Sequence, residues 1–374
     1  MAAEGAARTQ RRSTQASNLV AVARAAGVDP STVSRVLRSD PAVRVRPETR
    51  RRILAAADQL DYTPNLIART LVTRKSMTLG LIIPSAANVV YEQIIRGAEH
   101  AARQAGYVLL LSESTDLGAA DSAYRELVLG GRVDGLLIAS GTSRESLPQL
   151  LRGQSGNCLI LNRRIRGPIP SIIEDDERGM ARGVEKLIAL GHTRIACLAG
   201  PADVDTATRR LAGFRQAMRA AGLPVGRGYI QRAPFDEAGG HDAMLRLLRL
   251  PRPPTAVAVS SLVAATGALA ACHEAGVAVP GEVSVIAFHD ATVAQYLTPS
   301  LSTIWMPLFE LGEAASRQLV DLINGRSVPQ LRRLQEPEPR VIERASTAPP
   351  HGGPSMPRRH KPTAEKRAFT VGGD

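Results

Sequence analysis

The feature that most constrains the fold is a regular alternation of short apolar runs with longer helical patterns between about residues 79 and 288. Runs such as 79–83, 158–161 and 256–259 are apolar throughout, as are strands that are buried on both faces. The helical segments between them end at glycine, which readily adopts the left-handed conformation that stops a helix. The alternation predicts an α/β fold with doubly wound parallel sheets and helices on both sheet faces.

The length of the alternating region, and a change in its character near 161–175, predict two such lobes joined by a hinge. In sheets of this kind, ligands bind in the cleft outside the carboxyl ends of the strands. A last helix is expected at about 307–324. The tail, 345–374, is basic and rich in Pro, Gly and Ser, so we expect it to be disordered.

Residues 18–63 carry a different pattern, in which two short helices meet at Ala26-Gly27-Val28. Gly27 can stop the first helix, and Asp29-Pro30-Ser31 supplies a cap and a first-turn proline for the second. Four branched residues are spaced to form a small core, namely Val22, Val28, Val33 and Leu37. The outward face of the second helix carries Ser31, Thr32, Ser34, Arg35 and Arg38. This is the pattern of a helix-turn-helix whose second helix reads DNA.

Basic residues are concentrated at the same end of the chain, which has a formal net charge of +12. Residues 1–76 hold 14 Lys+Arg and 6 Asp+Glu, whereas residues 77–344 hold 28 and 27. A basic head on a near-neutral body fits nucleic-acid binding through the head. A third helix is expected from Pro47, with Ile53, Leu54, Ala57 and Leu60 on one face. Its Arg50-Arg51-Arg52 run is either close to DNA phosphates or an ordinary solvated face.

The order of these parts resembles the lactose/galactose repressor family of bacterial transcription regulators. The most specific motif is Ala-Gly-Val-x-Pro-Ser-Thr-Val-Ser-Arg-Val-Leu at 26–37, and shorter motifs follow in family order at 62–65, 68–71, 190–195, 199–201, 210–214 and 254–256. The resemblance implies five parts: a disordered arm (1–17), a helix-turn-helix domain (18–63), a hinge helix and linker (64–76), a two-lobed body like periplasmic binding proteins (77–344), and the tail (345–374).

The resemblance also implies a repressor that binds a palindromic operator as a homodimer, under the control of a small-molecule effector that changes lobe closure and melts the hinge. Major-groove and phosphate contacts would come from Ser31, Thr32, Ser34 and Arg35, and Asn18 would cap the first helix toward a phosphate. The hinge would lie in the minor groove, with Leu71 as an apolar wedge that bends the duplex. The implied DNA-binding set is completed by Arg38, Asn65, Ala68 and Arg69.

For the effector, the resemblance implies contacts from Tyr91, Asn162, Arg210, Phe235, Ser261 and His289. Several carboxylates and amides that are usual in the family are replaced here, by Asn162-Arg163, Ser261-Leu262 and Phe288-His289-Asp290. The remaining groups, Arg210, His289 and Asn162, would suit an anionic or modified ligand as well as a sugar. A charged metabolite, an atypical sugar and no effector at all therefore remain open.

Two other functions were weighed against the regulator. An enzyme is disfavoured because the chain has no dinucleotide-binding glycine motif, no Walker loop and no Gly-x-Ser-x-Gly turn. His192 has no evident Ser or Cys partner, and the adjacent Asp175 and Asp176 would point apart. A transport solute-binding protein is disfavoured by the helix-turn-helix head and by an amino terminus without an apolar signal core. We expect no catalytic residues, no metal and no cofactor.

The cysteines, Cys158, Cys197 and Cys272, show no metal-binding spacing. Cys158 and Cys197 lie in apolar strand-like runs, so we expect them to be buried free thiols, for which a reducing compartment suffices. No run approaches the roughly 18 apolar residues of a membrane span. The sequence therefore predicts a cytoplasmic protein that is associated with the nucleoid and has no membrane partner.

Overall fold

The computed structural model describes residues 19–37, 43–62, 75–113, 125–139, 157–164 and 167–350. The chain divides into two compact units, Met1–Ser76 and Met77–Asp374. Each unit has its own apolar core. No helix within these ranges is long and apolar enough to cross a membrane.

The described part of the first unit contains three short helices: α1 (Leu19–Ala26), α2 (Pro30–Leu37) and α3 (Pro47–Gln59). The turn between α1 and α2 forms as the sequence predicts. Gly27 has φ +60°, which a residue with a side chain rarely adopts. The Asp29 carboxylate then accepts a hydrogen bond of 2.8 Å from the backbone N–H of Ser31 and so caps α2.

The core of this unit differs from the predicted one on α3. Val22 and Val33 are fully buried, and Val28 and Leu37 pack against them half-buried. On α3, however, Leu54 is 49% and Leu60 37% exposed. Ile53, Ala56 and Ala57 form the buried face of α3 at the i, i+3, i+4 spacing, whereas Leu54 lies beside this face and Leu60 follows the last residue of the helix. The buried set is Val22, Ala23, Ala26, Val33, Val36, Ile53, Ala56 and Ala57.

The second unit contains two six-stranded sheets, one in each lobe. The first sheet is parallel throughout, in the order β2-β1-β3-β4-β5-β11. Its strands are β1 (Thr78–Ile83), β2 (Val108–Glu113), β3 (Gly135–Ile138), β4 (Cys158–Leu161), β5 (Ser171–Glu174) and β11 (Leu331–Leu334). Helices α4 (Val90–Gln104) and α9 (Leu308–Ile323) pack tightly together, since a Cβ on Gly97 would lie 1.9 Å from the Phe309 carbonyl oxygen.

The second sheet has the order β7-β6-β8-β9-β10-β12 and is parallel except for its last pair. Its strands are β6 (Ile195–Ala199), β7 (Ile230–Arg232), β8 (Ala256–Val259), β9 (Ser284–Phe288), β10 (Ser302–Trp305) and β12 (Arg340–Ile342). Its helices are α5 (Asp176–Ala189), α6 (Asp205–Ala220), α7 (Glu237–Leu248) and α8 (Leu262–Glu274). Short helical turns add Arg125–Leu129 in the first lobe and Thr292–Gln295 in the second.

The described chain crosses between the lobes three times, not once as expected near 161–175. The crossings join β5 to α5, β10 to α9, and β11 to β12, because α5 packs on the second sheet and α9 on the first. Three segments of the chain therefore connect the two lobes. The alternation also predicts helices at about 119–130 and 143–152. The second lies outside the described residues, as does the first half of the first, and the other half contains the turn Arg125–Leu129.

The ordered body continues past residue 344, so its end lies later than the expected start of the tail at 345. Ser346 is fully buried, and its hydroxyl donates to the Val285 carbonyl over 2.6 Å and accepts from the Ser302 N–H over 2.8 Å. The Val285 N–H in turn donates to the Ser346 carbonyl. These bonds fix the segment that follows β12 across the amino ends of the second sheet.

Candidate DNA-reading helix and effector cleft

Helix α2 turns an apolar face inward and a polar face outward. Val33 and Val36 are buried, while Ser31 and Arg35 are exposed and Thr32 and Ser34 are half-buried. Ser31 also bonds to Asp29 through its hydroxyl and its backbone N–H, which lowers the pKa of the Asp29 carboxyl. The four described residues of the predicted reading face therefore lie on one side of one helix.

One residue of the Arg50-Arg51-Arg52 run has a structural role. The Arg52 Nε–H donates to the Ala26 carbonyl at the carboxyl end of α1 over 2.7 Å. A cationic side chain at this position satisfies a terminal carbonyl and interacts favourably with the helix dipole. Arg52 thus joins α3 to α1, whereas the suggested phosphate contact remains a prediction for Arg50 and Arg51. The predicted contacts at Asn18, Arg38, Asn65, Ala68, Arg69 and Leu71 lie outside the described residues.

Most of the predicted effector residues meet where the carboxyl ends of the two sheets face each other. Asn162 follows β4, and His289 follows β9. Ser261 immediately precedes α8 and is buried; its neighbour Ser260 accepts a hydrogen bond from Arg210. Tyr91 is electrostatically coupled to Arg163 and Arg210, and desolvation raises the pKa of its hydroxyl. These residues therefore lie close together in the structure, and their contact with an effector remains a prediction.

Arg210 lies at the centre of the cleft, and its charge is already paired. Its Nε donates to Asp176 Oδ1 over 2.6 Å, and its Nη1 donates to the Ser260 carbonyl over 2.7 Å. The guanidinium carbon lies 4.1 Å from the ring centroid of Phe288 and 5.7 Å from that of Phe235. These contacts fix Arg210 as part of the wall of the cleft, which weakens the expectation that it meets an anionic ligand.

His289 accepts a hydrogen bond from Arg210, with 3.2 Å between Arg210 Nη2 and His289 Nε2. Because an arginine can only donate, Nε2 carries the lone pair. Desolvation, and then the charge of Arg210, hold the pKa of His289 well below its usual range, so the ring is neutral. Asn162 and His289 both have positive φ, at +61° and +72°. Such backbone strain is typical of residues that the surrounding structure holds for a function.

The neighbouring Arg209 was missed by the sequence analysis, although it is only 1% exposed. Its guanidinium binds Asp176 and also donates to Asp205 Oδ2 over 2.8 Å. From the second lobe it reaches two carbonyls of the first, those of Glu174 at 2.9 Å and Asn162 at 3.3 Å. Arg209 therefore connects the lobes. The feature of the sequence that could have identified Arg209 is the acidic run 174–176 at the end of an apolar strand, since buried carboxylates require cationic partners.

A second connection between the lobes is formed by Asp205. Its carboxylate accepts from the Arg164 N–H over 3.0 Å and from the Arg164 Nε over 3.3 Å. These partners, and above all the charge of Arg209, outweigh the desolvation that would raise the pKa of Asp205, so its pKa is lowered. Asp205 is thus ionised at neutral pH and holds Arg164 of the first lobe against α6 of the second.

Glu174 is the second residue that the sequence analysis missed. Its side chain is fully buried, and within the described residues neither carboxyl oxygen has a hydrogen-bond partner. Burial first, and then the charge of Asp176, raise the pKa of Glu174 to about 8. Two further buried acceptors, Asn162 Oδ1 and Glu310 Oε2, also lack a hydrogen-bond partner among the residues described. The cleft therefore contains a set of unsatisfied acceptors.

The groups considered for catalysis have structural roles here. Asp175 caps α5 by accepting from the Arg178 N–H, while Asp176 points to the arginines, so the two side chains diverge as expected. His192 does have a serine partner, contrary to the sequence analysis: its Nε2 lies 3.1 Å from Ser284 Oγ and 2.8 Å from the Ala348 carbonyl. This contact lies at the amino ends of the second sheet and fixes the segment around Ser346.

Cys158 and Cys197 are buried free thiols, as predicted, and so is Cys272; burial raises the pKa of each of the three to about 12. The residues that the structure describes contain no group of three or more His, Cys, Asp or Glu side chains that could hold a metal ion.

Comparison with known proteins agrees with this architecture. Residues 18–65 match the model of "Bacterial regulatory proteins, lacI family", and residues 184–347 match a periplasmic binding protein-like domain. The ribose operon repressor of Escherichia coli K12 is 35% identical over 327 residues, which is 87% of this chain and 98% of the relative. The transcriptional repressor CytR of the same organism is 32% identical and covers 87% of this chain and 95% of its own length.

Solved structures give the same result. A lac repressor dimer bound to operator and the anti-inducer ONPF has a TM-score of 0.77 at 30% identity, and covers 89% of this chain and 100% of its own. The regulator CelR in complex with cellobiose has a TM-score of 0.67 at 29% identity, and covers 88% of this chain and 99% of its own. The chain belongs to the lacI family of bacterial regulatory proteins.

Proposed function

We propose that the protein is a transcriptional repressor that binds a palindromic operator as a homodimer and loses or gains operator affinity when an effector binds between its lobes. The observation that carries the proposal is the combination, in one chain, of an outward polar helix face at 31–35 and a two-lobed cleft with unsatisfied polar groups. Two of the relatives named above are repressors by their names, one of them of a ribose operon, and the two solved structures are a regulator in complex with cellobiose and a repressor dimer bound to operator and an anti-inducer.

For DNA recognition, the proposal assigns base and phosphate contacts to Ser31, Thr32, Ser34 and Arg35. One helix of eight residues reaches only one half-site, so a dimer with two such helices is required to read a palindrome. Asn18, Arg38, Asn65, Ala68, Arg69 and Leu71 are proposed as further contacts. A regulator of this kind acts on chromosomal DNA, which places it in the cytoplasm at the nucleoid.

For effector control, the proposal assigns ligand contacts to Tyr91, Asn162, Arg210, Phe235, Ser261 and His289. The connections made by Arg209 and Asp205 hold the lobes in one closure state. A ligand that binds another closure state more tightly shifts the equilibrium between them. Coupling of this kind changes operator affinity by about 1–3 kcal/mol.

The experiment is selection of binding sites from random duplex DNA by the full chain, followed by titration of the selected site. We expect an inverted repeat with a dimer bound, and a steep loss of affinity with salt because phosphate contacts release counterions. Arg35→Ala should weaken binding, whereas Arg96→Ala, a control on the exposed face of α4, should not. Selection of no palindrome, or equal binding by random DNA, would refute the proposal.

A further inference from the structure

Glu174 lies between the lobes in a set of charged groups that come from four different elements. From α5 it faces Asp176, from α6 Arg209 and Arg210, and from α9 Glu310. His289, which follows β9, has its Nε2 3.7 Å from Glu174 Oε2, too far for a hydrogen bond. Glu174 therefore lies at the point where the two lobes meet.

The charges of both arginines act on Glu174 and oppose the rise of its pKa, but neither arginine donates a hydrogen bond to its carboxyl oxygens. Arg210 uses its Nε on Asp176 Oδ1, and Arg209 binds Asp176 and Asp205. Arg209 reaches Glu174 only at its backbone carbonyl. Both guanidinium charges are thus in direct contact with other carboxylates, and His289 is neutral.

The groups that remain unsatisfied in the cleft are all acceptors of hydrogen bonds. They are the two carboxyl oxygens of Glu174, Asn162 Oδ1 and Glu310 Oε2, judged over the part of the chain that is described. A buried acceptor without a partner destabilises the fold, and a charged one does so more strongly. A ligand that donates satisfies Asn162 Oδ1 and, once Glu174 is ionised, both of its carboxyl oxygens. Two of the three side chains are carboxyls, which favour a donor with a positive charge.

We propose that the cleft binds an effector that carries an ammonium group, and that Glu174 is the residue that accepts it. This deepens the proposed function, on which it rests for the role of the ligand as an effector. The assignment differs from the expectation of an anionic or modified ligand because the two cations whose charges act on Glu174, Arg209 and Arg210, already contact Asp176.

Binding should release a proton. In the free protein Glu174 is mainly a neutral carboxylic acid at neutral pH, since its pKa is raised to about 8. When an ammonium group donates to the carboxyl, the ionised form is favoured, and the carboxyl proton passes to solvent while the ligand keeps its own. Affinity for an amine should therefore rise with pH until Glu174 is ionised in the free protein.

The test uses the full chain and pairs of probes that differ in one amine: glucosamine with glucose, galactosamine with galactose, and 4-amino-1-butanol with 1,4-butanediol. Calorimetry in two buffers of different ionisation enthalpy measures affinity and proton release together. We expect at least one amine to bind about tenfold or more tightly than its neutral counterpart, since charge-assisted hydrogen bonds contribute this much. Its binding should release up to one proton.

Glu174→Gln should remove both the preference for the amine and the proton release. Asp242→Asn makes the same change of charge at a side chain that is 69% exposed, and should leave both unchanged. Circular dichroism of each variant establishes that it is folded; if Glu174→Gln does not fold, proton release by the wild-type chain decides alone. The proposal is overturned if the neutral probes bind as tightly as the amines, if no amine binds, or if Glu174→Gln keeps the preference.

Operator binding by the same preparations separates this proposal from the proposed function. Amine binding without any sequence-specific DNA binding would refute the repressor and leave the ligand assignment standing. Operator binding together with a preference for neutral probes would refute the ligand assignment and leave the repressor standing.

Discussion

Replacing Glu174 with glutamine should remove a pH dependence from the stability of the body. The side chain is fully buried, and burial together with Asp176 raises its pKa from 4.5 to about 8. A shift of this size corresponds to an upper limit of roughly 5 kcal/mol, at about 1.4 kcal/mol for each pH unit. Glutamine keeps the shape of the side chain and carries no charge at any pH.

The sign follows from the direction of the shift. The folded-state pKa of Glu174 lies above the unfolded one, so the folded state binds the proton more tightly. Protonation of Glu174 therefore stabilises the folded state. This stabilisation is fully present below about pH 4.5, decreases as the pH rises, and is lost above about pH 8. Wild type should therefore lose stability relative to Glu174→Gln across this interval.

Urea unfolding of both proteins from about pH 5 to about pH 9 measures the difference. The chain has a single tryptophan, Trp305 at the end of β10, which packs on Arg340 at 4.2 Å and reports the state of the body by fluorescence. The free energies of unfolding of the two proteins should diverge with rising pH. Parallel curves would refute the reasoning, because they would mean that Glu174 has an ordinary pKa in the fold.

Three further predictions concern other contacts. Arg209→Met should destabilise the body by about 3–5 kcal/mol, because it leaves Asp176 and Asp205 with fewer partners; urea unfolding that matches wild type would contradict this. Arg52→Ala should cost the head about 1 kcal/mol through loss of the bond to the Ala26 carbonyl, whereas Arg51→Ala should cost less in thermal unfolding. Burial lowers the pKa of His192, so acidification below about pH 6.5 should destabilise wild type more than His192→Gln; equal acid sensitivity would contradict this.

The parts of the fold that the sequence predicted are those determined by local chemistry. Gly27, Asp29 and Pro30 specify the turn and cap of the helix-turn-helix within a few residues, and the apolar runs specify the central strands. The strands that were missed, β10, β11 and β12, are short and carry polar residues; β11 reads Leu-Arg-Arg-Leu and lies at a sheet edge. Their pairing is determined by partners far away in the chain, and so are the three crossings between the lobes.

The cleft was predicted less completely than the fold. Arg210 and His289 were found because they occupy positions of a family motif, but a motif does not show which partners a side chain already has. Asp176 engages Arg210, and Glu174 is left without a partner among the described residues. Both facts depend on how the two lobes close over the acidic run at 174–176, which sequence patterns do not specify.

The central claim, that ligand binding in the cleft controls DNA binding, is tested most directly by thermodynamic linkage. The measurement is the operator affinity of the full chain with and without the amine that binds most tightly, together with the affinity for that amine with and without operator. The account predicts that both affinities change by the same factor, about 5-fold to 150-fold. Equal operator affinity in the presence of saturating ligand would contradict it.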